Sequence, residues 1–366
     1  DSAIPEELLF AGASRFSPRL EQAVQDPVQF DEAISELLTY SLLRRLPDTG
    51  DVSIHRLVQA VLQDEMDQVT QHRWAAAILE AVDDLFPFGE FANWEKCQRY
   101  LPHAMHCTES IEQWHLVSLE AARLLDNVAV YLNERAQYQE AEPLHQRALA
   151  ICEKMQGPEH LNTASSLNNL AILYRRQAKY EQAEPLYQRA LAIREKILGP
   201  EHPDTASTLN NLGLLYSYQG KYEQAEPLYQ RALAIYEKVL GPEHPDTVRT
   251  VDNLANLYDV LARYEQAEPL YQRALAIDEK VLGPEHPDTA TTLNNLAGHY
   301  EDQGKYEQAE PLHQRALAIC EKVLRPEHPF TISILQNYAL LLRKVGRDQE
   351  AAMLEAQIEA RKAKEH

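Results

Sequence analysis

Apolar residues recur along this chain at helical spacing, and the whole apolar–polar pattern returns every 42 residues. Tyr180, Tyr222, Tyr264 and Tyr306 each open a near-copy of YEQAEPLYQRALAIxEKxLGPEHPDT, followed by a stretch like TLNNLGLLYSYQGK. In the unit starting at Asp204, Leu209, Leu212, Leu215 and Tyr216 form one helical stripe, which Gly220 ends. A second helix starts near Tyr222 and is expected to bury Ala225, Leu228, Tyr229, Ala232, Leu233 and Ile235. Gly241-Pro242 closes it, the glycine supplying a left-handed turn and the proline blocking continuation. Pro245 fixes the loop, and Asp246 or Thr247 is expected to cap the next helix. Helical hairpins are thus expected over 118–155, 162–198, 204–240, 246–282, 288–324 and 330–363. Units of this size cannot bury their apolar faces alone, so they predict a stacked solenoid with surface for a partner. The first unit (LLDNVAVYLNERAQY) and the last (Asp348 in place of the tyrosine) drift from the pattern, as capping units do.

Residues 1–117 do not repeat. FDEAISELL, from Phe30 to Leu38, reads as an amphipathic helix. YSLLRRL, the turn PDTGD and VSIHRL then read as a β-hairpin, and a further helix runs from His55 to Met66. Helix, hairpin, helix predicts a winged-helix domain over 1–70. Two or three helices between Trp74 and Trp114 form a connector over 71–117, ahead of a repeat array over 118–366. Trp74, Trp94 and Trp114 are expected in the core rather than in a ligand cage.

The formal net charge is −21, which opposes nucleic acid, because affinity there comes from cations neutralising phosphates. Residues 1–70 hold five Lys or Arg against thirteen Asp or Glu, net −8, so DNA binding by a winged helix is disfavoured as well. No apolar run approaches the ~20 residues needed to span a bilayer, and no signal sequence opens the chain. Cys97, Cys107, Cys152 and Cys320 show no CxxC spacing or disulfide framework, which fits a cytoplasmic location. A start at DSAIPEELL, without Met, suggests a piece of something longer.

His160, His202, His244, His286 and His328 recur once per unit. Packed helices lie about 10 Å apart, whereas zinc ligands sit about 2 Å from one ion, so these histidines are not a metal set. They are expected to bond carbonyls at the end of the preceding helix. Asn169, Asn211, Asn253, Asn295 and Asn337 also recur, in a residue type poorly suited to helix interiors. That implies either an inter-repeat hydrogen bond or a clamp on a ligand backbone. Carboxylates recur as solvated faces, no nucleophile stands beside a base, and no catalytic or metal site is expected.

Constant positions hold a stack together, and positions free to vary are expected to face outward. On the first helix of each hairpin these supply a candidate groove for a protein or peptide. It comprises Asn168, Arg175, Arg176, Asn210, Leu214, Tyr218, Arg249, Asp252, Asn256, Asp259, Asn294, Gly298, Glu301, Asp302, Gln336, Arg343 and Lys344. Its charge runs from basic at Arg175 and Arg176, through acidic at Asp252, Asp259, Glu301 and Asp302, to basic at Arg343 and Lys344. That alternation suits an extended peptide of complementary charge, with Gly298 leaving room for a bulky group.

Within 209–232, Leu212, Gly213, Tyr216, Ala225, Tyr229 and Ala232 sit at the helix-packing spacings of the tetratricopeptide repeat, which this chain resembles. The common form has about 34 residues. The 42-residue unit with LNNLA, YxxAEPLYxRALAI and LGPEHP is similar to that of kinesin light chain, and the resemblance covers about two-thirds of the chain. It implies a mainly α fold: a right-handed tetratricopeptide-repeat superhelix preceded by a winged-helix domain with a small β-hairpin. It also implies that asparagines of the LNNLA segment hold cargo peptides. AISELLTYSLLRR, SIHRLVQAVLQDEM and the Trp-rich helices ahead of such repeats resemble signal-transduction ATPases of the STAND class, in which an NB-ARC module precedes a tetratricopeptide sensor. There the winged helix carries a Met-His-Asp motif whose histidine touches the ADP phosphate. Ile54-His55-Arg56 occupies that place, so the resemblance implies that His55 senses nucleotide state, with Arg56 replacing the aspartate. No GxxxxGK[ST] occurs in this chain, so ADP or ATP is expected on an upstream nucleotide-binding module, the second expected partner. The leading expectation is a ligand-sensing repeat domain of such an ATPase, and the alternative is a freestanding kinesin-light-chain-like adaptor.

Overall fold

The computed structural model describes residues 3–40, 42–46, 51–89, 93–324 and 326–363. The chain divides into two compact units, Asp1–Ile193 and Arg194–His366. The fold is mainly α, built of helical hairpins, with one small antiparallel β-hairpin near the N-terminus.

The first unit opens with α1 (Glu6–Phe16), α2 (Pro18–Gln25), α3 (Pro27–Thr39), β1 (Leu43–Arg45), β2 (Val52–Ile54) and α4 (Arg56–Glu65). The expected helix, hairpin and helix are α3, β1–β2 and α4, and α1 and α2 precede them. Ser17 starts α2 and Asp26 starts α3, each accepting backbone N–H bonds. β1 and β2 pair with Leu43 opposite Ile54 and Arg45 opposite Val52, and Ile4 bridges Val52. Residues 47–50 of the expected turn lie outside the described residues. Leu57, Val61 and Leu62 leave an apolar face of α4 exposed.

Two helices form the connector, α5 (Gln68–Leu85) and α6 (Trp94–Gln113), ahead of α7 (Leu119–Glu134), α8 (Tyr138–Gln156), α9 (Leu161–Arg176) and α10 (Tyr180–Leu198). One core runs from Leu8 through Leu79 and Val82 of α5, Cys97 and Ile111 of α6, and Leu124 and Leu144, to Leu173 of α9. The connector therefore covers the apolar face that the first repeat would otherwise leave open, as an end unit of a stack requires. Trp94 and Trp114 pack against this core, and Trp74 lies 5.4 Å from the ring of Phe16.

The second unit contains α11 (Pro203–Tyr218), α12 (Tyr222–Val239), α13 (Pro245–Val260), α14 (Tyr264–Val281), α15 (Pro287–Asp302), α16 (Tyr306–Val323), α17 (Pro329–Lys344) and α18 (Asp348–Lys362). In α11 and α12 the stripes are those expected, with Leu209, Leu212, Leu215, Tyr216, Ala225, Tyr229, Ala232 and Ile235 buried and Leu228 and Leu233 half-buried. Gly213 permits close helix approach: a Cβ there would lie 3.0 Å from Tyr229 Cε1.

Helix starts correct one expectation. Neither Asp246 nor Thr247 is the cap. His244 is, its Nδ1 accepting the Asp246 N–H at 3.2 Å. His160, His202, His286 and His328 do the same at 3.1–3.2 Å. The imidazoles of these histidines thus serve donors of the following helix, while the backbone N–H of His244 and of His286 reaches the Gly241 and Gly283 carbonyls at 3.4 and 3.3 Å. The carbonyl at the preceding helix's end is taken by threonine: Thr247 Oγ1 donates to the Gly241 carbonyl at 2.8 Å, and Thr163, Thr205 and Thr289 repeat that bond.

Candidate ligand-binding site

The recurring asparagine is an inter-repeat hydrogen-bond donor. Asn253 Nδ2 reaches Asn210 Oδ1 at 3.1 Å, Asn295 reaches Asp252 Oδ2 at 2.6 Å, and Asn337 reaches Asn294 Oδ1 at 3.2 Å. Each bond satisfies a polar group in the stack, which explains an asparagine in mid-helix. The acceptors belong to a series expected to face outward. Asn168, Asn210 and Asp252 are instead buried, Asn294 is half-buried and Gln336 exposed.

The charges along the first helices are also largely spent within the stack. Arg176 pairs with Glu134 at 2.6 Å and bonds the Asn133 carbonyl. Asp259 bonds His299 Nδ1 at 2.8 Å, and burial keeps its carboxyl above the usual range despite that bond. Glu301 bonds His313 at 2.7 Å and Lys344 at 3.0 Å. Burial works against its ionisation, yet these two partners hold it below the usual range. Arg343 pairs with Asp348 and Glu355 of its own hairpin. Arg175 is half-buried and Asp302 exposed. Most charges of the basic–acidic–basic run thus have partners within the array.

A second set of variable residues is buried. The x in ALAIxEK is Cys152, Arg194, Tyr236, Asp278 and Cys320, all buried. Three of them meet the residue 14 positions on: Cys152 meets Ser166 at 3.7 Å, Arg194 donates to Thr208 at 2.8 Å, and Asp278 accepts from Thr292 at 2.8 Å. Burial pushes the Cys320 thiol up to about 12.

Five of the expected groove residues, Leu214, Tyr218, Arg249, Asp252 and Asn256, come together at a cavity of about 690 Å³ in the second unit. Its walls are α11 (Leu214, Ser217, Tyr218), α12 (Tyr222, Tyr229), α13 (Asp246 to Val260), Asp278 of α14 and α15 (Asp288, Thr291, Thr292, Asn295). Tyr218 is 59% and Val260 61% exposed, so the mouth is apolar and open. Inside, Asp252 Oδ2 accepts from Asn295 and, at 3.4 Å, from Asn256, whose Oδ1 takes the Tyr271 hydroxyl at 2.6 Å. Arg249 is turned to Asp246 at 2.6 Å. Gly298 has open space where a Cβ would stand but does not line this cavity. Asp278 and Asp288 also line it, and neither belongs to the groove expected from sequence. The signal available for Asp278 was an aspartate at a position otherwise filled by Cys, Arg or Tyr.

His55 is exposed at the junction of β2 and α4, where its Nδ1 accepts the Leu57 N–H at 3.3 Å and caps α4. Among the described residues, no His, Cys, Asp and Glu group could hold a metal, and no helix is long and apolar enough to cross a membrane.

Residues 2–71 match a domain of unknown function, DUF7779. A nucleotide-binding leucine-rich repeat-like protein of Hyaloscypha variabilis is 36% identical over 142 residues, which is 38% of this chain and only 14% of that protein. A putative kinesin light chain from Podosopora anserina, with nearly identical tetratricopeptide-like repeats, is 30% identical. That match covers 57% of this chain and 99% of the other, with a TM-score of 0.47. Aspartyl phosphate phosphatase F from Bacillus subtilis is 13% identical and covers 98% of this chain and 93% of its own, with a TM-score of 0.58, a likeness of fold alone. The tetratricopeptide repeat family matches at residues 120–196, 174–238, 204–280, 260–308 and 288–364, and the chain belongs to that family.

Proposed function

We propose that the array is the ligand-sensing, protein- or peptide-binding part of a cytoplasmic signalling ATPase, coupling recognition of a partner to an upstream nucleotide-binding module. The observation that carries the binding half is the cavity walled by α11, α13 and α15, with Tyr218 and Val260 at its mouth. An open, partly apolar concavity with a few fixed polar groups is what a peptide side chain needs. The signalling half is supported by the nucleotide-binding leucine-rich repeat-like relative and by the first domain. There His55 is exposed with Nδ1 engaged, which leaves Nε2 for an outside phosphate, and the apolar face of α4 follows directly. ADP or ATP would be held upstream, and this chain would contribute only that imidazole contact.

Random dodecapeptides displayed on phage, selected on the wild type and counter-selected on Val260→Arg, test the binding half. Peptides that bind the first and not the second support it; none recovered, or equal binding to both, contradicts it. For the signalling half, an upstream reading frame with GxxxxGK[ST] supports it, and one without it contradicts it.

A further inference from the structure

We propose that the cavity around Asp252 reads a basic side chain, a lysine or arginine in an extended peptide, whose cation is held by the Asp252 carboxylate. The inference rests on the peptide-binding reading above and names the ligand chemistry of that same site.

Two independent observations carry it. The first is the sign of the lining: Asp246, Asp252, Asp278 and Asp288 stand against a single arginine, Arg249, which is bound to Asp246. The second is that Asp252 is only 8% exposed, yet its Oδ1 has no hydrogen-bond partner among the described residues. A carboxylate oxygen left unpaired in the interior is costly, and a cation with N–H donors removes that cost. The lining also suits the rest of such a side chain. Leu214, Tyr218 and Val260 offer apolar surface to a three- or four-methylene stem, while the charged end lies deeper. An acidic or purely apolar residue would leave Oδ1 unpaired or repelled.

Burial pushes the Asp252 carboxyl up to about 7 in the unliganded site, with Asp278 and Asp288 adding to that rise while Asn295 and Asn256 oppose it. The groups facing it are Asn256 of α13, Asp278 and the Tyr271 hydroxyl of α14, and Asp288 and Asn295 of α15. Docking a cation requires the ionised form, so binding strengthens as pH rises through 7.

The test is an array of random-sequence dodecapeptides probed with the labelled chain, followed by anisotropy titration of the tightest binders. The expected result is enrichment of Lys or Arg at one register. Those peptides should bind about tenfold more weakly at pH 6 than at pH 8, and Asp252→Asn should weaken them at least about tenfold and abolish the pH dependence. The wild-type pH profile stands even where the variant folds poorly. Bound peptides without basic enrichment, or unchanged binding by Asp252→Asn, overturn this inference while leaving the peptide-binding reading intact. No bound peptide at all overturns both.

Discussion

Asn295 donates its side-chain amide to Asp252 Oδ2 at 2.6 Å, joining residues 43 positions apart in neighbouring hairpins. The same bond recurs between Asn253 and Asn210 and between Asn337 and Asn294, but longer and between neutral groups. Bonds to charged acceptors are shorter and stronger than neutral ones. Asn295→Ala is therefore expected to cost about 2–3 kcal/mol, against about 1 kcal/mol for Asn253→Ala or Asn337→Ala. Urea denaturation of the three variants at pH 8 measures the order, and equal losses would contradict it.

Histidine caps offer a second test. His244→Ala removes the acceptor for the Asp246 N–H and is expected to destabilise by about 1 kcal/mol, whereas His244→Asn restores a capping side chain. Thermal melting of both variants decides the point. No loss in His244→Ala, or no recovery in His244→Asn, would contradict the cap.

Two glycines in equivalent helices should respond oppositely to alanine. At Gly298 an added Cβ meets open space, so Gly298→Ala gains helix propensity and stabilises by about 0.5–1 kcal/mol. At Gly213 the same atom would press on the Tyr229 ring at 3.0 Å, so Gly213→Ala is expected to destabilise. Denaturant midpoints give both signs.

The hairpins were legible because period and stripe report burial directly: Leu209, Leu212 and Tyr216 had to share a face, and they do. The site was less so. Constancy predicts burial and variation predicts exposure, yet Asp252, Asp278 and Arg194 are variable and buried, each matched to a partner one helix or one repeat away. A single sequence displays the residues but not the pairing. His244 illustrates the same limit, since its spacing is periodic but only the loop's geometry decides which helix it serves.

Asp252 also sets a pH dependence of stability. Its folded-state carboxyl titrates at about 7, above the ~3.9 of an unfolded aspartate. Between those values the folded chain binds the extra proton, so stability falls as pH rises from 4 to 7 and levels off above 7. Asp252→Asn removes that loss and should stabilise the array at pH 8, by at most about 4 kcal/mol, with little effect at pH 4. Melting curves at the two pH values check this, and an equal shift at both would contradict it.

The most direct measurement is the affinity of a peptide display-selected on the wild type without counter-selection, for the wild type, for Val260→Arg at the cavity mouth, and for Met353→Arg. Met353 is also exposed, on α18, and does not line the cavity. A loss of at least about tenfold for Val260→Arg alone is predicted, the size expected for a contact at the centre of an interface. Equal affinity for all three, or a loss confined to Met353→Arg, would contradict the cavity as the recognition site.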